Sequence, residues 1–406
     1  MSGAAPREES WAPFRHRAFA LLFTGRFIAF VGNAVAPVAV AFAVLDLTGS
    51  AGDVGLVLAA RSLALGVFVL VGGVWADRLP RDLVLVVSNV VSAGSQAVAA
   101  TVVLTGNASV PALIGLEALN GAAAAFVLPA AAGVIPQTLP PALLQKGNTL
   151  LRVGTNAAAV GGASAGGFVV AVIGPGWGLV IDSAAFLLAA GIFTLMRLDR
   201  SVPEEKSGFL SDLRAGWREF TSRTWLWVVV AAFCVINAAF AAAFSTLGPV
   251  VADASIGRAG WGAVVGAEAA GFLLGGVIAL KLRADRPLLV AMVAMLATAP
   301  VLFVLGLAPA LVPLIALSVL AGVALEVFGV LWDTSVQSNV PQAVLSRVYA
   351  YDALGSFVAI PAGQAIAGPV SVVFGFGPTI AFCGGLVVAA VAATLIVPGV
   401  RRLRLN

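Results

Sequence analysis

Twelve apolar stretches, each long enough to cross a bilayer, dominate this chain, and its basic residues gather on one side once those stretches are threaded back and forth. The first six cover about residues 18–45, 54–76, 83–105, 110–134, 148–173 and 177–197. The second six cover about 225–250, 259–280, 287–306, 311–335, 347–373 and 377–398. A helix needs roughly 20 apolar residues to cross the hydrocarbon, so these are read as spans one to twelve. With both ends inside, Arg15, Arg17, Arg78, Arg81, Lys146, Arg152, Arg197, Arg200, Lys206, Arg214, Arg218 and Arg223 lie at or beyond inner ends. So do Lys281, Arg283, Arg286, Arg347, Arg401, Arg402 and Arg404, and Arg7 in the tail joins them. Arg258 alone falls on the outer side, and Arg26 and Arg61 lie within spans. Basic loops stay cytoplasmic during insertion, so this asymmetry supports the number of crossings and the orientation together.

Composition excludes a water-soluble alternative. Hydrophobic residues make up 60% of 406 positions and charged residues 10%, against about 25% charged in a soluble domain. The net charge of +4 is read as topology and contact with anionic lipid rather than nucleic-acid binding. Cys234 and Cys383 lie inside spans and read as small hydrophobes, not as a disulfide or metal site. Residues 1–13 are polar and lack a signal-peptide core, so the first span is expected to be retained. The one histidine, His16, lies outside the spans. No HExxH or GxxxxGK[ST] pattern occurs, and one histidine outside the spans leaves little for metal or nucleophile chemistry, so neither an enzyme nor an ATP-driven machine is expected, and no cofactor or metal.

Every connection is short except 198–224, which divides the chain into a bundle at 1–197, a linker, and a second bundle at 225–406. In the linker Phe209, Leu210, Leu213, Trp217 and Phe220 fall on one helical stripe, with Asp212, Arg214, Arg218 and Glu219 on the remaining surface. That pattern predicts an amphipathic helix on the inner membrane face, or a plain tether between bundles. An internal repeat supports the division. Gly72-Gly73-Val74-Trp75-Ala76 returns half a chain later as Gly275-Gly276-Val277-Ile278-Ala279. Leu139-Pro140 returns as Val340-Pro341, and Gly162 and Gly167 return as Gly363 and Gly368, at a near-constant offset. Two six-helix halves related by an axis along the membrane normal follow from this.

Between spans two and three runs Gly72-Gly73-Val74-Trp75-Ala76-Asp77-Arg78-Leu79-Pro80-Arg81. Gly73 permits a close helix approach, and Asp77, Arg78 and Arg81 place mixed charge at the inner surface. This segment resembles the signature loop of the major facilitator superfamily, in which the loop latches the two halves on the cytoplasmic side when the cavity opens outward. The resemblance implies an all-α membrane fold of twelve helices in two pseudo-symmetric bundles. The second copy, Leu280-Lys281-Leu282-Arg283, lacks the acid, so the latch is expected to be asymmetric. Asp352, near the inner start of span eleven, resembles the family's acidic partner of that loop, or is a solvated helix end. Span five holds Gly161-Gly162-Ala163-Ser164-Ala165-Gly166-Gly167, with Gly162 and Gly166 spaced for close packing. It resembles the Gly-Pro-x-x-Gly-Gly motif of drug–proton antiporters, with Ala163 in place of proline. Phe14-Arg15-His16-Arg17-Ala18-Phe19, Leu45 through Ser50 and Gly176-Trp177 resemble the bacterial branch of macrolide, siderophore and other drug-type exporters.

Charge inside a span costs roughly 2.5–3.5 kcal/mol on insertion scales, so each such group needs a partner or a wet cavity. Arg26, Asn33 and Pro37 share a face of span one, Glu117 and Asn120 a face of span four, and Glu326, Asp333 and Gln337 a face of span ten, while span seven offers Asn237. In the resembled family these are the spans that line the central cavity. Arg61 and Glu117 lie at matching depths and are expected to pair across spans two and four. Asp182 and Asp333 are expected to reach interface water, and Glu268, mid-span, is either a cavity group or a packing contact. Glu117, Glu268 and Glu326 are the candidate proton carriers, with Glu326 first among them. Arg26 is read either as the holder of an anionic substrate group or as the neutraliser of a cavity acid. Phe27, Phe30, Phe126, Phe240, Phe244, Phe328 and Trp332 are expected to shape the cavity. The resemblance implies a monomeric, multi-pass protein of the bacterial plasma membrane with both termini cytoplasmic, exporting a small amphipathic drug or natural product by alternating access against protons. Import or facilitated passage of a small metabolite is the alternative.

Overall fold

A computed structural model describes residues 11–76, 80–140, 143–196, 209–282 and 284–404. Among the described residues, twelve helical segments are long and apolar enough to cross a membrane. Spans one to six are helices Arg17–Thr48, Ala51–Ala76, Arg81–Leu104, Val110–Thr138, Leu144–Ile173 and Pro175–Thr194. Span eight is Gly257–Lys281, span ten Leu311–Asn339 and span twelve Phe376–Ile396. Three spans are interrupted. Span seven runs from Thr224 to Phe240, passes through a π-helical stretch, Ala241–Leu247, and continues as Gly248–Ala254. Span nine carries a 3₁₀ stretch, Leu296–Thr298, before Pro300. Span eleven breaks between Phe357 and Ile360, where Pro361 begins a new first turn. Such π and 3₁₀ insertions inside helices often mark functional sites or hinges.

The ends of the spans follow local chemistry. Gly174 and Gly375 link spans five to six and eleven to twelve at φ of 94° and 87°, a region that favours glycine. Each is followed by a helix with proline in its first turn or just after it, as Pro175 and Pro378 show. The sequence repeat is therefore a structural one. It recurs at the helix crossings as well. A Cβ on Gly162 of span five would strike the Val31 carbonyl of span one, and one on Gly363 of span eleven would strike the Ala238 carbonyl of span seven. Gly166 presses on Val35 of span one in the same way, and Gly167 is buried. The glycine run of span five is thus a packing surface for span one.

Two compact units emerge. One comprises residues 1–43 and 60–203, the other 44–59 and 204–406. The second unit thus takes in the junction of spans one and two, which the sequence division placed in the first bundle. Its internal contacts give the reason: Gly52 meets Gly368, Gly55 meets the Gln364 carbonyl and Thr246, and Arg258 bridges Asp46 and Asp253. The linker helix, Phe209–Ser222, also belongs to this unit. Its Phe220 is buried, and Trp217 and Phe220 pack on Tyr351 at the start of span eleven, with ring centroids 5.3 and 6.0 Å away. It is fastened to the second bundle and is more than a tether.

Candidate functional site

Within the first unit, charged and polar side chains meet deep between spans one, two, three, four and six. Arg61 of span two lies with Nη1 3.7 Å from Glu117 Oε2 of span four. Its Nη2 donates to Asn33 Oδ1 of span one at 2.5 Å. Gln96 of span three donates to Glu117 Oε1 at 2.9 Å. Glu117 is 1% exposed and Arg61 18%, so the pair is shielded on the acid side and partly open on the guanidinium side. The crossing is built by Gly121, one turn beyond Glu117, because any Cβ there would collide with the Arg61 backbone carbonyl. The ion pair expected from matched depths is present.

Span three supplies the neutral wall of this region. Ser88, Asn89, Ser92, Ser95 and Gln96 are all buried. Ser95 donates to the Leu116 carbonyl at 2.6 Å, and Ser183 of span six donates to the Ala93 carbonyl at 2.8 Å. These hydroxyls hold spans three, four and six together. Sequence reasoning passed over the stripe because each member is uncharged.

Asp182 overturns its expectation. It does not reach interface water: it is 0% exposed, and neither carboxylate oxygen has a hydrogen-bond partner. Span six begins at Pro175, so Asp182 sits two turns down the helix. Gly32 lets span one close over it, and a Cβ there would lie 2.9 Å from Asp182 Oδ1. Arg61 and Glu117 are near enough to act on it electrostatically. The depth argument that paired Arg61 with Glu117 would have found this residue too. Asn120, expected beside Glu117, is fully buried with neither side-chain heteroatom partnered. Arg26 lies with its guanidinium 5.5 Å above the Phe30 ring, and its Nε is buried without a partner.

The second unit distributes its polar groups differently. Glu268 of span eight lies where Gly322 of span ten presses on its backbone carbonyl. Its carboxylate makes no hydrogen bond or ion pair among the described residues. Glu326 is 8% exposed and lies over Gly275 and Gly276 of span eight. Asn237 donates to the Ser356 carbonyl at 3.0 Å, joining spans seven and eleven. Asp352 accepts from Trp332 Nε1 at 2.8 Å and from the Ser356 hydroxyl at 3.1 Å.

Three of the expected cavity aromatics are instead core. Phe244, Phe328 and Trp332 are buried. Phe328 stacks on Phe233 at 4.0 Å, Trp332 meets Trp225 at 5.8 Å, and Phe244 meets Trp261 at 4.8 Å. The second bundle is thus filled by rings where the first carries charge. Phe126 lines an apolar cavity of about 310 Å³ with Phe68, Leu83, Val87 and Leu119. Of the signature loop, Asp77 and Arg78 lie outside the described residues, as does Arg283 of the second copy; Gly73 closes span two and Arg81 opens span three.

Residues 22–364 match the Major Facilitator Superfamily. The chain belongs to that superfamily. It is 24% identical over 359 residues to the multidrug efflux pump Tap of Mycolicibacterium fortuitum, covering 84% of this chain and 86% of that protein. Among solved structures it is similar to a mutant form of the nucleoside transporter NupG, with a TM-score of 0.77 at 14% identity over 93% of this chain and 99% of that one. It is also similar to a bacterial homologue of the human lysosomal transporter Spinster, with a TM-score of 0.70 at 17% identity over 97% and 96% of the two chains. These likenesses show the fold of a facilitator-superfamily transporter. The chain is an integral membrane transporter and not an enzyme.

Proposed function

We propose that this transporter exports a small amphipathic organic compound, a drug or natural product, from a bacterial cell by alternating access of its two bundles, in exchange for protons. The observation that carries the efflux reading is the likeness to Tap, which runs through 359 residues and most of both chains. The buried charge in the first unit supports ion coupling, because Glu117 and Asp182 lie in hydrocarbon-spanning helices where charge is kept only for use. The basic residues gathered at the inner ends support a cytoplasmic position for both termini. The Asp77–Arg81 segment and Asp352 serve as the cytoplasmic latch, with Trp332 and Ser356 holding the Asp352 carboxylate ready.

Purified protein in liposomes loaded with a pH-sensitive dye tests the reading. An imposed proton gradient should drive uptake of a fluorescent cationic drug into inverted vesicles, with matching proton exit. Accumulation that ignores the gradient, or solute movement only down its own gradient, would replace exchange with facilitated passage. Glu326→Gln, Glu117→Gln and Glu268→Gln then locate the proton carrier among the acids.

A further inference from the structure

One acid of the first unit has no cation in contact with it. Arg61 is matched by Glu117 at 3.7 Å, and Asp182 remains as a second carboxylate with no cation of its own in hydrogen-bond contact. The buried, unpartnered atoms of this unit are unequal in kind. Among the described residues, four oxygens (Asp182 Oδ1 and Oδ2, Gln96 Oε1 and Asn120 Oδ1) and two nitrogens (Arg26 Nε and Asn120 Nδ2) lack a partner, and Glu117 Oε2 has only the ion pair to Arg61. A carboxylate sealed from water without a donor is too costly to stand as a bare anion. A region rich in unsatisfied oxygens is satisfied by something positive.

We propose that the interior of the first bundle holds a monovalent cation, H⁺ or Na⁺, on Asp182, with Glu117 as its neighbour and Arg61 as the fixed counter-charge. Away from the span ends, where Arg17, Asp53, Arg81, Asp82, Lys146 and Arg152 lie, the charged groups on the elements around Asp182 are Arg26 on span one, Arg61 on span two and Glu117 on span four, while span three offers only neutral polar groups at that depth. Arg61 is the member able to report occupancy. It is tied at once to Asn33 of span one and Glu117 of span four, so a positive charge arriving at Asp182 cancels that carboxylate's pull and leaves the guanidinium to Glu117 and Asn33 alone. The proton candidates of spans four, eight and ten do not call for Asp182, which lies on span six, outside the polar faces read from the sequence. Hard cations take oxygen ligands, and the oxygen set present would suit Na⁺, whereas a proton needs only one carboxylate oxygen and no added room.

The inference rests on the transport reading for its use but not for its test, which needs no organic substrate. Infrared difference spectra of the purified protein in lipid are recorded between acid and alkaline pH, and separately on adding Na⁺ at fixed pH. Expected is a carboxylic-acid carbonyl band present in the wild type and lost in Asp182→Asn, with Asp182→Glu restoring a shifted band. If the band titrates with pH and ignores Na⁺, the ion is a proton. If Na⁺ removes it at constant pH and raises thermal stability in the wild type only, the ion is Na⁺. A spectrum unchanged in Asp182→Asn under both conditions overturns the site. Should Asp182→Asn fail to fold, Asp182→Glu carries the same decision, because a band that does not move with the longer side chain also overturns it. A band assigned to Asp182 together with absent drug export would refute the transport reading and leave the ion site standing.

Discussion

Cutting the Arg61–Glu117 pair from either side should give unequal penalties. Removing Arg61 as Arg61→Met leaves Glu117, 1% exposed, with Gln96 as its single donor at 2.9 Å. Stranding one member of a buried pair costs about 3–5 kcal/mol. Because Arg61 is 18% exposed and therefore partly screened, the expectation falls to about 2–3 kcal/mol. Glu117→Gln leaves Arg61 with the Asn33 hydrogen bond and some water, so about 1 kcal/mol is expected. The double change Arg61→Met with Glu117→Gln removes both charges at once and should cost less than the two single penalties summed, giving a coupling of about 1–2 kcal/mol. Denaturant unfolding in detergent micelles, followed by tryptophan fluorescence, measures all four corners of the cycle. Additive penalties would refute the pair as an energetic unit and reduce it to two independent polar groups. A near-neutral Arg61→Met would refute the claim that Glu117 depends on it.

Three other perturbations follow from the packing. Gly162→Leu and Gly363→Leu should each lower thermal stability sharply, since backbone carbonyls of Val31 and Ala238 occupy the space; normal melting of both would remove the repeated crossing from the account. Trp332→Phe keeps the ring stack on Phe328 but deletes a donor to Asp352, so export should weaken while folding is retained, and full export would show that this hydrogen bond is idle. Arg258→Ala unties Asp46 from Asp253, and should raise maleimide labelling of a Thr246→Cys probe, a site now fully buried beneath Gly55. Labelling unchanged from the parent would show that glycine packing alone holds that junction.

Spans were legible because hydrocarbon imposes a length and a composition that no other solvent does. The glycine repeat was legible for a similar reason: Gly162 and Gly363 mark backbone contacts that tolerate no side chain, so sequence spacing and geometry coincide. Arg61 and Glu117 were found by depth alone. What stayed hidden depended on rotation about helix axes. Phe244, Phe328 and Trp332 belong to spans that line the family's cavity, yet they face other rings, and a sequence of uniformly apolar helices carries little amphipathic signal to fix that rotation. Asp182 was missed through an end effect, because Pro175 starts span six earlier than its apolar run suggests.

The repeat also explains why the two bundles do different work with one architecture. Gly121 in the first half and Gly322 in the second press on the backbone carbonyls of Arg61 and Glu268. The same crossing therefore presents a cation in one bundle and an anion in the other. One turn before each glycine stands Glu117 or Ser318, both buried. In the first bundle the cation meets its acid and a third group, Asn33, so charge ties three helices. In the second the matching position offers only a hydroxyl, which cannot neutralise an acid, and the structural role passes to aromatic stacks such as Phe233 on Phe328. A duplicated fold keeps glycine crossings under steric constraint while side chains at them diverge, since a methylene at Gly121 or Gly322 is forbidden and a change of charge beside it is only costly. If the ion site proposed at Asp182 holds, ion binding acts on the helices of the first bundle. Glu268→Arg should therefore lower the melting temperature without creating a second ion-dependent step, and proton-driven export that persists in this variant after Asp182→Asn would refute the division of labour.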